Sequence, residues 1–284
     1  MTSGVRNIVL LLYFFFHISS IFSQVFENTA GQMEKKFVYE VKQIDEFFER
    51  FNDDSSSFIR KIYKSYRVKF NIDRQNLIKS LFNYQTKSWG QSSIDSFVNT
   101  AITTQLPSKN NFYGENWFAE VSCRFNYNSI EIEIPVILRI ITDERKRSKW
   151  VICGVGTSPV KFQSHISDKS SQNNNLRFIN PASHANYFIE LEKVFEDKEN
   201  LSAYFDNSVF TRTNTSAFYH AILQNKIKFV SVRAIKYHFL QVTNYIFTVE
   251  YFERNDLNSG WLINNIKSSS AIDKELFTKN LLGE

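Results

Sequence analysis

Proton-transfer chemistry is most plausible at three residues of the C-terminal half, His238, Tyr245 and Tyr251. His238 ends one predicted strand, and both tyrosines fall on the inward face of the next. A histidine and a tyrosine can serve as acid and base, but such rings also pack in cores with their polar tips at the surface. We therefore treat the three as candidate lining residues of a binding pocket and assign no catalytic residue.

Other reactive side chains do not form a known catalytic or metal-binding pattern. With only eight glycines, the chain carries no phosphate-cradling loop or dinucleotide fingerprint. Cys123 and Cys153 fall on predicted strands separated by the strand around Ile134, so we expect two buried thiols and no disulfide. The five histidines match no zinc-binding spacing: His17, His165, His184, His220 and His238. The sequence predicts no metal and no cofactor.

Charged and aromatic surface residues leave the ligand open. The basic run from Glu144 to Lys149 is interpreted as a solvated hairpin tip, with phosphate or acidic-glycan binding as the alternative. A net charge of +5 is modest for 284 residues, and we expect no nucleic-acid partner. Phe112, Tyr113 and Trp117 can form a rim that binds sugar or protein, or can cover the open end of a sheet.

A period of two predicts three antiparallel strands in the N-terminal half. Apolar and polar residues alternate over 119–126 and 130–140, and a third strand covers 150–156. Pro135 falls on the outer face, which predicts a bulge or an unpaired edge there. The inward face carries no acidic residue and no histidine: Val121, Cys123, Phe125, Ile134, Val136, Leu138 and Ile140. That face is expected to be filled with apolar side chains.

Apolar spacing of three and four residues predicts helices before each set of strands. In the N-terminal half they cover 34–51 and 58–63, with a third capped by Asp73 and a fourth starting at Ser93. In the C-terminal half the predicted helices are 185–197 and 216–225, followed by strands 228–238, 244–253 and 260–268. Residues 161–175, rich in serine and asparagine, are the predicted linker between the halves.

The two halves resemble each other along their strands. Trp150 and Trp261 each begin a final strand, which sets a shift of 111 residues. Under that shift the inward face of one half falls on that of the other: Phe118 on Phe229, Val121 on Val232, Ile134 on Tyr245, Val136 on Phe247, Leu138 on Val249 and Ile140 on Tyr251. A one-residue slip would invert every match, so the sequence predicts an internal duplication.

Helices followed by three long antiparallel strands, the last led by tryptophan, resemble the cone-shaped α+β fold of the nuclear-transport-factor-2-like superfamily. The resemblance rests on 118–127, 130–141 and 150–155, and on 229–238, 245–252 and 261–266. The chain also looks like exported proteins of Bacteroides-type bacteria, with Phe-Phe-Glu-Arg-Phe-Asn at 47–52. The resemblance implies two tandem α+β domains and an envelope location. The fold hosts enzymes, binding modules and assembly domains alike.

The N-terminus is typical of a secretory signal peptide. Arg6 precedes an apolar run over 8–22, and Ser23 stands before a cleavage point at Gln24; an uncleaved anchor is the alternative. The expected domains are a signal peptide (1–23), a first α+β domain (24–158), a polar linker (159–183) and a second α+β domain (184–284). We expect a periplasmic or secreted, non-catalytic binding or assembly protein of the bacterial envelope, whose partner is an envelope protein or small ligand. The alternative is a small-molecule isomerase or lyase with its pocket in the second domain.

Overall fold

A computed structural model describes residues 40–55, 57, 60–61, 73–85, 88–103, 109–160, 177–254 and 259–284. The predicted signal peptide, most of the predicted helix at 58–63 and the predicted linker core lie outside this part. The helices are α1 (Ile44–Asn52), α2 (Arg74–Ser80), α3 (Gln91–Thr103), α4 (Leu191–Glu196), α5 (Thr213–Leu223) and α6 (Ala271–Leu281). The strands are β1 (Trp117–Tyr127), β2 (Ile130–Thr142), β3 (Ser148–Val155), β4 (Ile227–Phe239), β5 (Tyr245–Phe252) and β6 (Gly260–Ser268). The chain is an α+β protein, as predicted.

All six strands belong to one antiparallel sheet, in the order β3-β2-β1-β4-β5-β6. Within each half, consecutive strands pair as hairpins. The first strand of each half lies at the centre of the sheet, where β1 pairs with β4 from Trp117 opposite Phe239 to Tyr127 opposite Ile227. The two predicted units therefore share one sheet. That each unit also folds as a domain of its own stays a prediction.

The duplication is visible in the pairing of the outer hairpins. Ile140 lies opposite Trp150 in the first half, and Tyr251 lies opposite Trp261 in the second. Both hairpins carry a register shift at the equivalent place, after Ile137 and after Thr248. A bulge at the same position marks a shared local geometry, and the shift of 111 residues aligns the pairing of these two hairpins.

The central strand β4 departs from the predicted match. Its register against β1 shifts twice, opposite Ser122/Cys123 and opposite Arg124/Phe125. The two shifts together restore the alternation, so Tyr237, Ile235 and Phe229 all face the main core. Phe118 lies in a smaller cluster on the other face, because it is three positions from Val121 in the unbroken alternation of β1. The predicted match of Phe118 with Phe229 is therefore wrong.

Helices cover one face of the sheet, here called the first face. The helices of each half lie mainly on the strands of the other half. The first helical group (40–103) packs mainly on the strands of the second half: the Ile263 N–H donates to the Leu81 carbonyl at 2.7 Å. The second helical group (177–223) packs mainly on the strands of the first half: the Asp206 N–H donates to the Ile152 carbonyl at 2.9 Å. Ile263 and Ile152 are equivalent under the shift of 111, so each half supplies the cover of the other.

Aromatic rings fill the layer between the helices and the first face. Phe97 of α3 lies 5.4 Å from Phe247 of β5, measured between ring centroids. On the other side, Phe218 of α5 lies 5.3 Å from Phe125 of β1. All four side chains are fully buried. The high phenylalanine content of the chain thus supplies one core that spans both halves.

The opposite, second face is covered at one end by α6. Ser270 begins this helix with a capping box, its side chain accepting from the Asp273 N–H. Phe277, Leu281 and Leu282 of the helix and its end pack against a small cluster that includes Phe118 and Ile137. This packing creates the concave surfaces described below.

Several local predictions are confirmed and one is wrong. Asp73 caps α2 by accepting from the Asn76 N–H at 2.8 Å, and Pro135 lies just past the end of the β2–β3 pairing. The predicted helix at 185–197 is instead a 3-10 helix (Pro181–Asn186) and the short α4; of the four residues between them, Tyr187 and Phe188 have positive φ. Left-handed backbone ends a helix, and apolar spacing does not reveal it.

Candidate functional site

The three pocket residues predicted from sequence do not come together. Tyr245 and Tyr251 stand at opposite ends of β5, about 20 Å apart by strand rise. The Tyr245 hydroxyl lies 2.8 Å from Ser96 Oγ, whereas Tyr251 packs against Trp261. His238 lies on the second face, between Phe118 of β1 and Phe277 of α6. The three residues therefore line no common pocket.

His238 forms a buried pair with Glu120. Its Nε2 lies 2.5 Å from Glu120 Oε2, and the histidine is 5% exposed. The hydrogen bond with His238 is the main reason why the pKa of Glu120 is lowered, outweighing its burial. The Phe277 ring lies 5.4 Å from the imidazole, measured between centroids. A histidine–carboxylate pair can do acid–base work. This pair lies beneath α6, where the contact of His238 with Phe277 helps to hold the helix on the sheet.

A cleft of about 520 Å³ opens beside this pair on the second face. It lies between the turn before β1, the end of β2 and the end of α6, and its lining includes Tyr113, Asn116, Phe118, Arg139, Asp206 and Leu282. The turn is held rigidly, because the Tyr113 N–H donates to Asn111 Oδ1 at 3.0 Å and the Leu240 N–H donates to the Asn116 carbonyl at 2.9 Å. Tyr113 is 59% exposed at the cleft mouth, and its ring meets the Phe112 ring edge-on at 5.1 Å between centroids.

An ion pair between Arg139 and Asp206 forms the polar side of the cleft. Burial would raise the pKa of Asp206, but hydrogen bonds from Ser208 and the charge of Arg139 outweigh burial and lower the pKa. The Arg139 Nε is buried and has no hydrogen-bond partner, and its side chain is 40% exposed. The guanidinium thus keeps donors beyond those that bind Asp206.

A second arginine of the cleft lining, Arg212, is held in place by two hydrogen bonds. Arg212 donates from Nη1 to the Cys153 carbonyl and from Nε to Glu284 Oε1. Burial raises the pKa of the Cys153 thiol to about 12, so this sulfur is not a nucleophile near neutral pH. An adjoining hollow of about 570 Å³ lies along α6, where Lys274 Nζ donates to the Leu240 and Val242 carbonyls at 2.7 and 2.6 Å.

The equivalent position in the other half has different chemistry. Under the shift of 111, Arg139 corresponds to Glu250 and Cys153 to Asn264. There Asn264 Nδ2 donates to Glu250 Oε1 at 3.0 Å, and Asn83 Nδ2 donates to Asn264 Oδ1 at 3.0 Å. The two halves share a backbone arrangement but not a site, so the cleft is specific to the strands of the first half.

The predicted aromatic rim is divided by the fold. Tyr113 reaches the cleft, whereas Trp117 is 1% exposed and packs in the core of the first face, with its Nε1 donating to the Phe112 carbonyl. The basic run is a hairpin tip, as interpreted, with Arg147 paired to Asp143 at 2.7 Å. Sequence reasoning missed Arg139 and Asp206 because they are 67 positions apart, and Arg139 read as one more polar residue in an alternating strand.

Comparisons with protein-family models, with curated proteins and with solved structures found no match to this chain. The likeness to the nuclear-transport-factor-2-like superfamily stays a prediction. Within the described ranges, no helix has both the length and the apolar character needed to cross a bilayer. The function is therefore argued from the residues of the site.

Proposed function

We propose that this chain is an exported, non-catalytic binding protein of the bacterial envelope, and that its cleft holds a small, uncharged ligand rich in hydroxyl groups, such as a saccharide. The observation that carries the proposal is the combination of an exposed aromatic ring, Tyr113, with the Arg139–Asp206 pair and Asn116 in the lining of one cleft. Rings provide a flat apolar platform, and convergent polar groups fix orientation.

The charge of the lining supports an uncharged ligand. Its charged residues are Glu115, Arg139, Asp206 and Arg212, which balance. An ionic ligand would face a charge of its own sign beside its partner, whereas hydroxyl groups can donate to Asp206 and accept from Arg139. A non-catalytic role is supported by Cys153 of the lining, whose buried thiol is not a nucleophile near neutral pH, and by His238, which pairs with Glu120 beneath α6 outside the lining.

Calorimetric titration with neutral gluco-, manno- and xylo-oligosaccharides tests the proposal. At least one sugar is expected to bind, and Tyr113→Ala is expected to weaken binding about tenfold, since aromatic stacking contributes about 1 kcal/mol or more. Tyr84→Ala, which removes another exposed ring, is the matched control. Binding should change little between low and high salt. A Tyr113→Ala variant that binds as the parent does, or affinity that collapses in salt, contradicts the proposal.

The export part of the proposal rests on the sequence from Arg6 to Gln24. Expression of the tagged full chain in a Gram-negative host, followed by fractionation and N-terminal sequencing, should give periplasmic or secreted protein beginning near residue 24. A product that keeps Met1 and stays in the cytoplasm contradicts export. A product that keeps residues 1–23 and sediments with membranes supports the uncleaved anchor instead.

A further inference from the structure

Three aromatic rings form an open corner on the first face, far from the cleft. Tyr187 of the second helical group stands at 88° to Tyr251 of β5, with 6.2 Å between ring centroids. Trp261 of β6 lies beneath both, 5.4 Å from Tyr251 and 6.3 Å from Tyr187. Trp261 is 3% exposed, whereas Tyr187 is 47% exposed. Trp261 is buried behind Tyr187 at an interplanar angle of 29°, so the rings that meet solvent are Tyr187 and the partly exposed Tyr251, at right angles to each other.

The backbone that presents Tyr187 is unusual. Tyr187 and Phe188 have φ of 52° and 54°, a region that bulky side chains rarely adopt once, let alone in succession. The Phe188 N–H donates to the Ser183 carbonyl at 2.9 Å, and the Phe188 ring is fully buried against Trp150. The turn thus places one aromatic ring inward and the next outward. Disfavoured backbone that is held by its surroundings is a feature of functional sites.

Carboxylates surround the corner. Glu40 precedes Val41, whose carbonyl accepts from the Trp261 N–H at 2.8 Å, and Glu253 follows the end of β5 next to Tyr251. Asp45 of α1 is half-exposed and contacts His184, three residues before Tyr187. Burial raises the pKa of Tyr251 first, and the charges of Tyr187, Glu40 and Glu253 raise it further. Among the basic groups nearby, Arg50 is 4% exposed and donates to the Glu40 carbonyl.

We propose that the corner of Tyr187, Tyr251 and Trp261 is a second binding site, which takes an organic cation, an alkylammonium or guanidinium group. The faces of tyrosine and tryptophan rings carry negative potential that attracts such cations, and rings at right angles contact a rounded cation on two sides. Carboxylates at the edge add attraction without a direct contact.

Ligand-observed proton NMR on the full chain tests the proposal with choline and its uncharged isostere 3,3-dimethyl-1-butanol. Choline is expected to bind at least about fivefold more tightly than the isostere, because only the charge differs. N-acetyl-arginine amide distinguishes a guanidinium ligand from an ammonium ligand. Equal binding of choline and the isostere, or no binding of any of these cations at about 10 mM, overturns the proposal.

Variants separate the site from its role in folding. Tyr187→Ala is expected to weaken choline binding about fivefold, and Tyr187→Phe to retain it, since the ring face is kept. Tyr84→Ala is the matched control, because Tyr84 is also 47% exposed. Tyr187→Gly suits the positive φ, so it should lose less stability than Tyr187→Ala while also losing choline. Choline binding retained in Tyr187→Ala and Tyr187→Gly contradicts the proposal. Sugar binding at the cleft should be unchanged in all these variants.

Discussion

Replacing Phe97 with alanine tests the reciprocal packing of the two halves. Phe97 belongs to the first half, but its fully buried ring contacts Tyr245 and Phe247 of the second. Removal of a buried phenylalanine ring costs about 3–5 kcal/mol. With an m-value of about 3 kcal/mol/M, the urea midpoint should fall by about 1–1.7 M.

Hydrogen exchange locates the damage. In Phe97→Ala the amides of β5 and β6 are expected to lose protection first, although the substitution lies on a helix that precedes β1. Phe218→Ala is the matched variant, because this buried ring of α5 contacts Phe125 of β1, and there β1 to β3 should lose protection first. If each substitution instead exposed the strands of its own half, the helices would not cover the sheet as described. Phe97→Leu provides a milder version should the alanine variant fail to fold.

Three further predictions concern single groups. The hydrogen bond with His238 lowers the pKa of Glu120 in the folded state. The carboxylate therefore contributes to stability above about pH 4.5, and this contribution is lost as the pH falls through the lower folded pKa. Glu120→Gln should flatten the decline of melting temperature over that range, and an unchanged decline would show that the pair is not responsible. Cys153 should resist iodoacetamide at pH 8 until urea unfolds the chain, since it is buried and the pKa of its thiol is about 12; rapid alkylation of the native protein would contradict its burial. Gly260→Ala would place a Cβ 2.0 Å from the Val41 carbonyl oxygen at a φ of 88°, so urea unfolding should show a loss of at least about 3 kcal/mol in the free energy of unfolding. Gly90→Ala is the control and should lose less than about 1 kcal/mol, because the atom nearest to its Cβ lies at 3.5 Å. Similar losses in the two variants would contradict the close approach at Gly260.

The strands were predictable because their signal is local. Alternation located the first two strands, and the two tryptophans set a shift under which the bulges of the outer hairpins are equivalent. The match failed for Phe118 and Phe229, because Phe118 lies on the opposite face of β1 from Val121 and Phe125, whereas Phe229 lies opposite Phe125. Which strands each group of helices covers was not predictable either. A periodic pattern shows that a helix such as α3 has an apolar face, but not which strands that face will meet.

The candidate site was harder to predict than the fold. Tyr113 was singled out from sequence as an exposed aromatic residue, and the structure places it at the cleft mouth. Arg139 and Asp206 are far apart in the sequence, and they meet because the second helical group packs against β3. Tyr251 was proposed for a pocket with His238, whereas it stands in the aromatic corner with Tyr187. In each case the missing information is tertiary contact, which residue type and spacing do not carry.

The exchange of helical groups has a consequence for how such a protein could arise. A single ancestral copy would have left its own strands bare, and two separate copies would have had to meet in solution to cover each other, as swapped dimers do. Joining the copies in one polypeptide makes that meeting intramolecular, at an effective concentration set by the tether. Unfolding of this chain should therefore be independent of protein concentration, and the two halves can carry different side chains at equivalent positions, as Arg139 and Glu250 do.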